Sequence, residues 1–212
     1  HLLQPAPLPR EWVKDLIPLE GFITQHYSPR SRYFDGIERR YFTEDNALRI
    51  DGARALIDSI FKPWDSRYPG IMTGLIHSAD RIANTASTYA TYLKSYKATA
   101  LQEFQLQIPL ASKCGPRGLV YGEDALQLPP GADIVYLDPP YNHRQYSDYF
   151  HLLNTLIGPQ DFAPLGVGGM PPLSRRNRSA FCSPKAPEAL SQLIQNLDAR
   201  VTVLSYNSEG II

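Results

Sequence analysis

Ile134-Val135-Tyr136-Leu137-Asp138-Pro139-Pro140-Tyr141 runs from a short apolar stretch straight into a double proline. A continuous, β-branched-rich apolar run of this length reads as a buried parallel strand, and open α/β sheets bind ligands at the carboxyl ends of such strands. Asp138 therefore sits where chemistry is expected. The two prolines stiffen the corner, remove two backbone donors and restrict the residue before each ring. A carboxylate, free carbonyls and the Tyr141 ring are left to project together, which are the parts needed to hold a planar amine.

Working outward, further strand-like segments fall around Leu119 to Tyr121 and Val201 to Leu204, and Asp148 to Ile157 and Pro187 to Leu197 read as helices. Strands alternating with helices imply crossover units and a parallel sheet. Upstream, Ala47, Leu48, Ile50, Ala53, Leu56, Ile57 and Ile60 recur at helical spacing behind Thr43, a natural N-cap, and predict a helix over 44–61. Pro63 and Pro69 bracket a break, and the proline-free stretch Ile71 to Phe104, with Tyr89, Tyr92 and Tyr96, reads as one long or two shorter helices. The chain divides near residue 108 into a helical part, 1–107, and an α/β part, 108–212. Gly166-Val167-Gly168-Gly169 lies among prolines and reads as a mobile loop. His1 to Arg10 is proline-rich and unpatterned, and a start at His1 reads as an excised or truncated chain.

At 212 residues and 43% apolar, the chain has enough material for a real core in one domain or one and a half. No apolar run approaches the ~18 residues of a membrane span, and no secretory signal pattern opens the chain, so a cytoplasmic protein without a membrane partner is expected. Cys114 and Cys182 lack the spacing of a zinc site or a disulfide framework, so no metal is expected. Lysine plus arginine balances aspartate plus glutamate at 21 each, which excludes a nonspecific polycation and leaves nucleic-acid affinity to local patches. One is Pro171 to Pro187, which carries Arg175, Arg176, Arg178 and Lys185 without an acidic residue; it reads as a phosphate contact or as a solvated loop.

Asp138-Pro139-Pro140-Tyr141 matches the (Asp/Asn/Ser)-Pro-Pro-(Tyr/Phe) motif of amino-group methyltransferases, and the longer run Tyr136 to Tyr149 resembles the D12-type, adenine-N6-specific DNA methyltransferases. Leu19 to Ile23, Arg40 to Thr43 with Asn46-Ala47 and Ile50-Asp51, Ala79 to Thr85 with Tyr92-Leu93-Lys94, and Leu204 to Gly210 look like stretches of the same group, so the resemblance runs nearly end to end. It implies a Rossmann-like S-adenosylmethionine-dependent methyltransferase sheet, partial here, with a mainly helical target-recognition region in 1–107 and the catalytic half in 108–212. The implied activity is methyl transfer from S-adenosylmethionine to adenine N6 in a specific duplex DNA sequence, as in restriction-modification systems.

The resemblance also implies roles. Asp138 and the Pro139 carbonyl, presented by the Pro139-Pro140 corner, accept hydrogen bonds from the target amine, Asp138 bordering the cofactor as well, and Tyr141 stacks on the base. Asp124 binds the cofactor's adenine, with Tyr121 or Ala125 as its apolar wall. A duplex base reaches such a pocket only when flipped out, which suits the polar and aromatic run Asn142, Arg144, Gln145 and Tyr146: Arg144 to hold a phosphate, Gln145 to fill the vacated stack. His143 has no partner for a metal or a triad.

One departure stands out: the family's Phe-x-Gly-x-Gly motif, which contacts the methionine moiety, occurs nowhere. A truncated protein, a proteolytic product or half of a split enzyme is expected, completed by an amino-terminal segment or a companion chain. Two alternatives stay open: amino-methylation of cytosine N4 or another planar NH2 group, and a catalytically incomplete DNA-binding fragment.

Overall fold

The computed structural model describes residues 16–108, 118–128, 131–208 and 210; Cys114 and His1 to Arg10 lie outside them. In chain order the elements are α1 (Phe22–Tyr27), α2 (Arg32–Asp35), α3 (Glu44–Ile60), α4 (Tyr68–Ile82), β1 (Gly131–Leu137), α5 (Tyr146–Tyr149), α6 (His151–Ile157), α7 (Ala186–Asn196) and β2 (Asp198–Leu204), with short 3-10 turns between. The chain forms two compact units: residues 1–113 with 150–175, and residues 114–149 with 176–212. The segment 150–175 thus groups with the helical part, not with the 108–212 half in which the sequence division put it.

In the first unit, α3 forms as its pattern predicts. Thr43 accepts from the Asn46 amide, Glu44 and Asp45 complement the helix dipole, and Ala47, Ile50, Ala53 and Ile57 are fully buried. Gly52 costs helix propensity but is required, because a Cβ there would lie 2.1 Å from the Ile17 carbonyl oxygen. Helix α1 has no cap of its own. Asp51, from the middle of α3, supplies it by accepting from the amides of Gly21, Ile23 and Thr24 at 2.8 to 3.0 Å and from the Thr24 hydroxyl at 2.6 Å.

Helix α4 starts earlier than expected, with Pro69 in its first turn where a missing N–H costs nothing, and stops at Ile82. The helix expected to carry on to Phe104 does not form. Two asparagines hold that segment in loops instead. The Asn84 side chain donates to the carbonyls of Arg40 and Leu93 and accepts from the Lys97 amide. The Asn46 side chain donates to the carbonyls of Ala100 and Gln102 and accepts from the Phe104 amide.

The glycine loop expected to be mobile is clamped. Leu165 and Met170 form an antiparallel bridge, and all four carbonyls between them meet buried side chains. Arg39, fully buried and paired with Asp35 at 2.7 Å, donates to the carbonyls of Gly166 and Val167. The Tyr41 hydroxyl and His151 Nε2 lie 3.0 Å from the Gly168 carbonyl, and the Tyr27 hydroxyl donates to that of Gly169 at 2.6 Å.

In the second unit β1 and β2 pair in parallel, Gly131 opposite Asp198 through Leu137 opposite Leu204. The fold is mixed α/β, as expected, but the strands are not buried among the described residues: Ile134 and Tyr136 are 67% and 62% exposed, Val201 and Val203 50% and 45%. Two strands flanked by one long helix leave much of their apolar surface uncovered. The strand expected at Leu119 to Tyr121 does not form either. It pairs with no strand among the described residues, and Leu119 and Val120 are 82% and 97% exposed. Helix α7, opened by Pro187 in its first turn, buries Ala189, Leu190 and Leu193 against Phe181, Leu126 and Leu137.

Candidate active site

Pairing of the sheet ends where the Asp138-Pro139-Pro140 corner begins. The Ser205 amide donates to the Leu137 carbonyl at 2.9 Å, so Ser205-Tyr206-Asn207 leaves the same sheet end as Asp138-Pro139-Pro140. Asp138, Pro139 and Pro140 line a cavity of about 870 Å³ that lies wholly within the second unit. One wall is Gly122 to Leu126, where the Asp124 carboxylate accepts from the Leu126 amide at 3.0 Å and caps a 3-10 turn. Another is Asn177, Arg178, Ser179 and Phe181, and the carboxyl end of α7 contributes Leu193, Asn196 and Leu197.

The segment that follows the prolines is stitched to residues 176–182. Gln145 is buried, its amide oxygen accepting from the Ser179 amide at 2.8 Å and its nitrogen donating to the Ser179 carbonyl. The Ser147 hydroxyl donates to the Asn177 carbonyl at 2.6 Å. Arg176 pairs with Asp148 at 2.9 Å, and the Cys182 thiol, its pKa pushed up by burial, donates to the Arg144 carbonyl.

The expected site residues therefore fall into two groups. Asp124, Ala125, Asp138, Pro139, Pro140, Gln145, Tyr146 and Arg178 line the cavity. Tyr121 and Tyr141 lie outside its lining, 51% and 46% exposed. Asn142 accepts from the Arg144 amide, an Asx turn that shapes the loop, and Arg144 reaches the Tyr149 hydroxyl at 3.0 Å. Gln145, expected to fill a vacated base stack, spends its side chain on Ser179. Arg175 sits in the first unit, bonded to Asp161. Asn177, Ser179, Phe181 and Asn196 are lining residues that the sequence did not single out; the acid-free run around Arg178 was the only sign of the first three, and nothing marked Asn196. Among the described residues, no three His, Cys, Asp or Glu side chains cluster as metal ligands, and no helix is long and apolar enough to cross a membrane.

Sequence comparison relates the chain to known methyltransferases. The chain is 38% identical over 211 residues to the Type II methyltransferase M.NlaIII of Neisseria lactamica, spanning 94% of this chain and 60% of that protein. It is 37% identical over 203 residues to the Type II methyltransferase M.CviAII of Paramecium bursaria Chlorella virus 1, 94% of this chain and 58% of that one. For the Type II methyltransferase M.FokI of Planomicrobium okeanokoites the figures are 34% over 202 residues, 91% and 30%. The chain thus spans 60% or less of the length of these relatives. No solved structure matches it significantly. The model of the D12 class N6 adenine-specific DNA methyltransferases matches residues 9–212. With an Asp-Pro-Pro-Tyr corner at a strand end and a match that takes in nearly every residue, the chain belongs to the D12 class of N6 adenine-specific DNA methyltransferases.

Proposed function

We propose that this chain carries the target-recognition region and the carboxyl-side catalytic part of a restriction-modification DNA methyltransferase. It acts in the cytoplasm on duplex DNA, moves a methyl group from S-adenosylmethionine to adenine N6, and uses a Rossmann-like sheet of which β1 and β2 are a part. The observation that carries the reading is the Asp138-Pro139-Pro140 corner at the end of β1, opening into a cavity within the size range of small-molecule and cofactor sites. The printed names of the relatives, Type II methyltransferases and modification methylases, support the restriction-modification context.

The lining suits the cosubstrate. Glu123, Asp124 and Asp138 set carboxylates around the cavity, and Leu126, Phe181 and Leu193 provide apolar wall, an acceptor set fit for the amine, hydroxyl and cationic groups of an adenosine joined to a sulfonium. When bound, S-adenosylmethionine supplies the methyl group. Adenine N6 is a weak nucleophile because its lone pair is delocalised into the ring. Asp138 and the Pro139 carbonyl, accepting from its two N–H groups, favour a pyramidal nitrogen and aim the lone pair. The proton leaves after transfer, so Asp138 acts as an acceptor that orients rather than as a strong base. Tyr141 and Tyr146 are the aromatic surfaces offered to a flipped base. Asn142 and Arg144 are the polar contacts for the strand, while Asp124, with Ala125 as apolar wall, holds the cosubstrate's adenosine.

A second reading, a chain that binds DNA without transferring methyl groups, draws on the apolar side chains that β1 and β2 leave exposed. Calorimetric titration of this chain with S-adenosylmethionine, followed by nucleoside analysis of incubated DNA, separates the two. Saturable binding with N6-methyladenine in the digest is expected. DNA binding with no affinity for S-adenosylmethionine overturns the first reading for this chain in favour of the second.

A further inference from the structure

Arg175, Arg176 and Arg178 place three guanidinium groups within four positions, and the structure gives each a different setting. Arg175 is bonded to Asp161 and lies over the Phe162 ring. Arg176, 16% exposed, is bonded to Asp148. Arg178 is exposed, forms no ion pair with a carboxylate among the described residues, and lines the cavity that also holds Glu123, Asp124 and Asp138. Its backbone is fixed on both sides, because Ser147 holds the Asn177 carbonyl and Gln145 holds both backbone groups of Ser179. The structure thus presents a cation on an anchored loop segment, its fork without a carboxylate partner among the described residues, in a cavity whose other charged lining residues are carboxylates.

We infer that Arg178 is the anion anchor of this cavity: it binds the anionic oxygens of the ligand that occupies it. Guanidinium suits this task because its planar fork engages carboxylate or phosphate oxygens in pairs. Under the function proposed above, on which this inference rests, the anion is either the phosphate of the nucleotide whose base enters the cavity or the carboxylate of the methionyl part of the cosubstrate.

The test titrates the 212-residue chain and its Arg178→Gln and Arg178→Lys variants with adenosine, adenosine 5′-monophosphate and S-adenosylhomocysteine by calorimetry. Arg178→Gln is expected to lose ~10-fold or more in affinity for one anionic ligand, the order of one charge-assisted hydrogen bond, with adenosine unchanged and Arg178→Lys partly restored. A loss confined to the monophosphate identifies the phosphate as the anion, and a loss confined to S-adenosylhomocysteine identifies the carboxylate. Equal affinities of wild type and Arg178→Gln for all three ligands overturn the anchor while leaving the proposed function standing, and so does a loss shared equally by adenosine. If the wild type binds none of the three, the proposed function fails for this chain and the anchor fails with it.

Discussion

Gln145 grips Ser179 from both directions, accepting from its amide at 2.8 Å and donating to its carbonyl at 3.3 Å, so that one side chain acts as a stretch of strand edge. Because Gln145 is only 4% exposed, replacing it leaves two backbone groups short of partners. Gln145→Leu is expected to destabilise the chain by ~1–3 kcal/mol in urea unfolding and to weaken ligand binding through the shifted 177–179 wall. Unchanged stability and ligand affinity would contradict the clamp.

If Asp138 accepts from the target amine, as proposed, Asp138→Ala removes that contact but no buried packing. Methyl transfer by an active form should fall by ~10²-fold or more while DNA affinity stays within a few-fold. Single-turnover methylation with a parallel binding titration checks it, and near-normal transfer would remove Asp138 from the site.

Two glycines make a paired test of backbone need. Gly169 has φ +68°, and a Cβ there would lie 2.8 Å from the Tyr27 ring, so Gly169→Ala should cost ~1–3 kcal/mol. Gly70, in the first turn of α4, would meet nothing within 4 Å, and Gly70→Ala should stabilise by ~0.5–1 kcal/mol. Thermal unfolding of both variants reads the opposite signs.

Burial pushes the hydroxyls of Tyr27, Tyr41 and Tyr89 well above the usual tyrosine range and that of Tyr96 up to about 12. Their folded values exceed the unfolded value of about 10, so the stability they contribute is complete below that pH and is lost as pH rises toward about 12. Urea midpoints measured from about pH 8 to about pH 11 should fall increasingly steeply above about pH 10. A flat profile would mean that these hydroxyls ionise freely in the folded chain.

Helix α3 was legible because its signal is local: Ala47, Ile50, Ala53 and Ile57 share one face, and Thr43 caps it. The corner at Asp138 was legible because two prolines after an apolar run admit few backbone shapes. Side chains that bond to distant backbone leave no such mark. Asn46 reaches Phe104, 58 positions away, and nothing periodic records it, so the aromatic stretch to Phe104 read as helix. Gln145 carries no sign in the sequence that it is buried. Val120 carries the composition of a strand yet is 97% exposed among the described residues, because composition reports what a segment would favour when paired and not whether a partner is at hand.

The Gly166 to Gly169 loop is anchored by every one of its carbonyls, while the side chains of Leu165 and Val167 face outward, 50% and 61% exposed. Inserting or deleting one residue would put each carbonyl out of step with Arg39, Tyr41 and Tyr27 at once. Such a loop can alter what it displays but not its length. Leu165 and Val167 are the side chains it displays, as letters on a fixed frame.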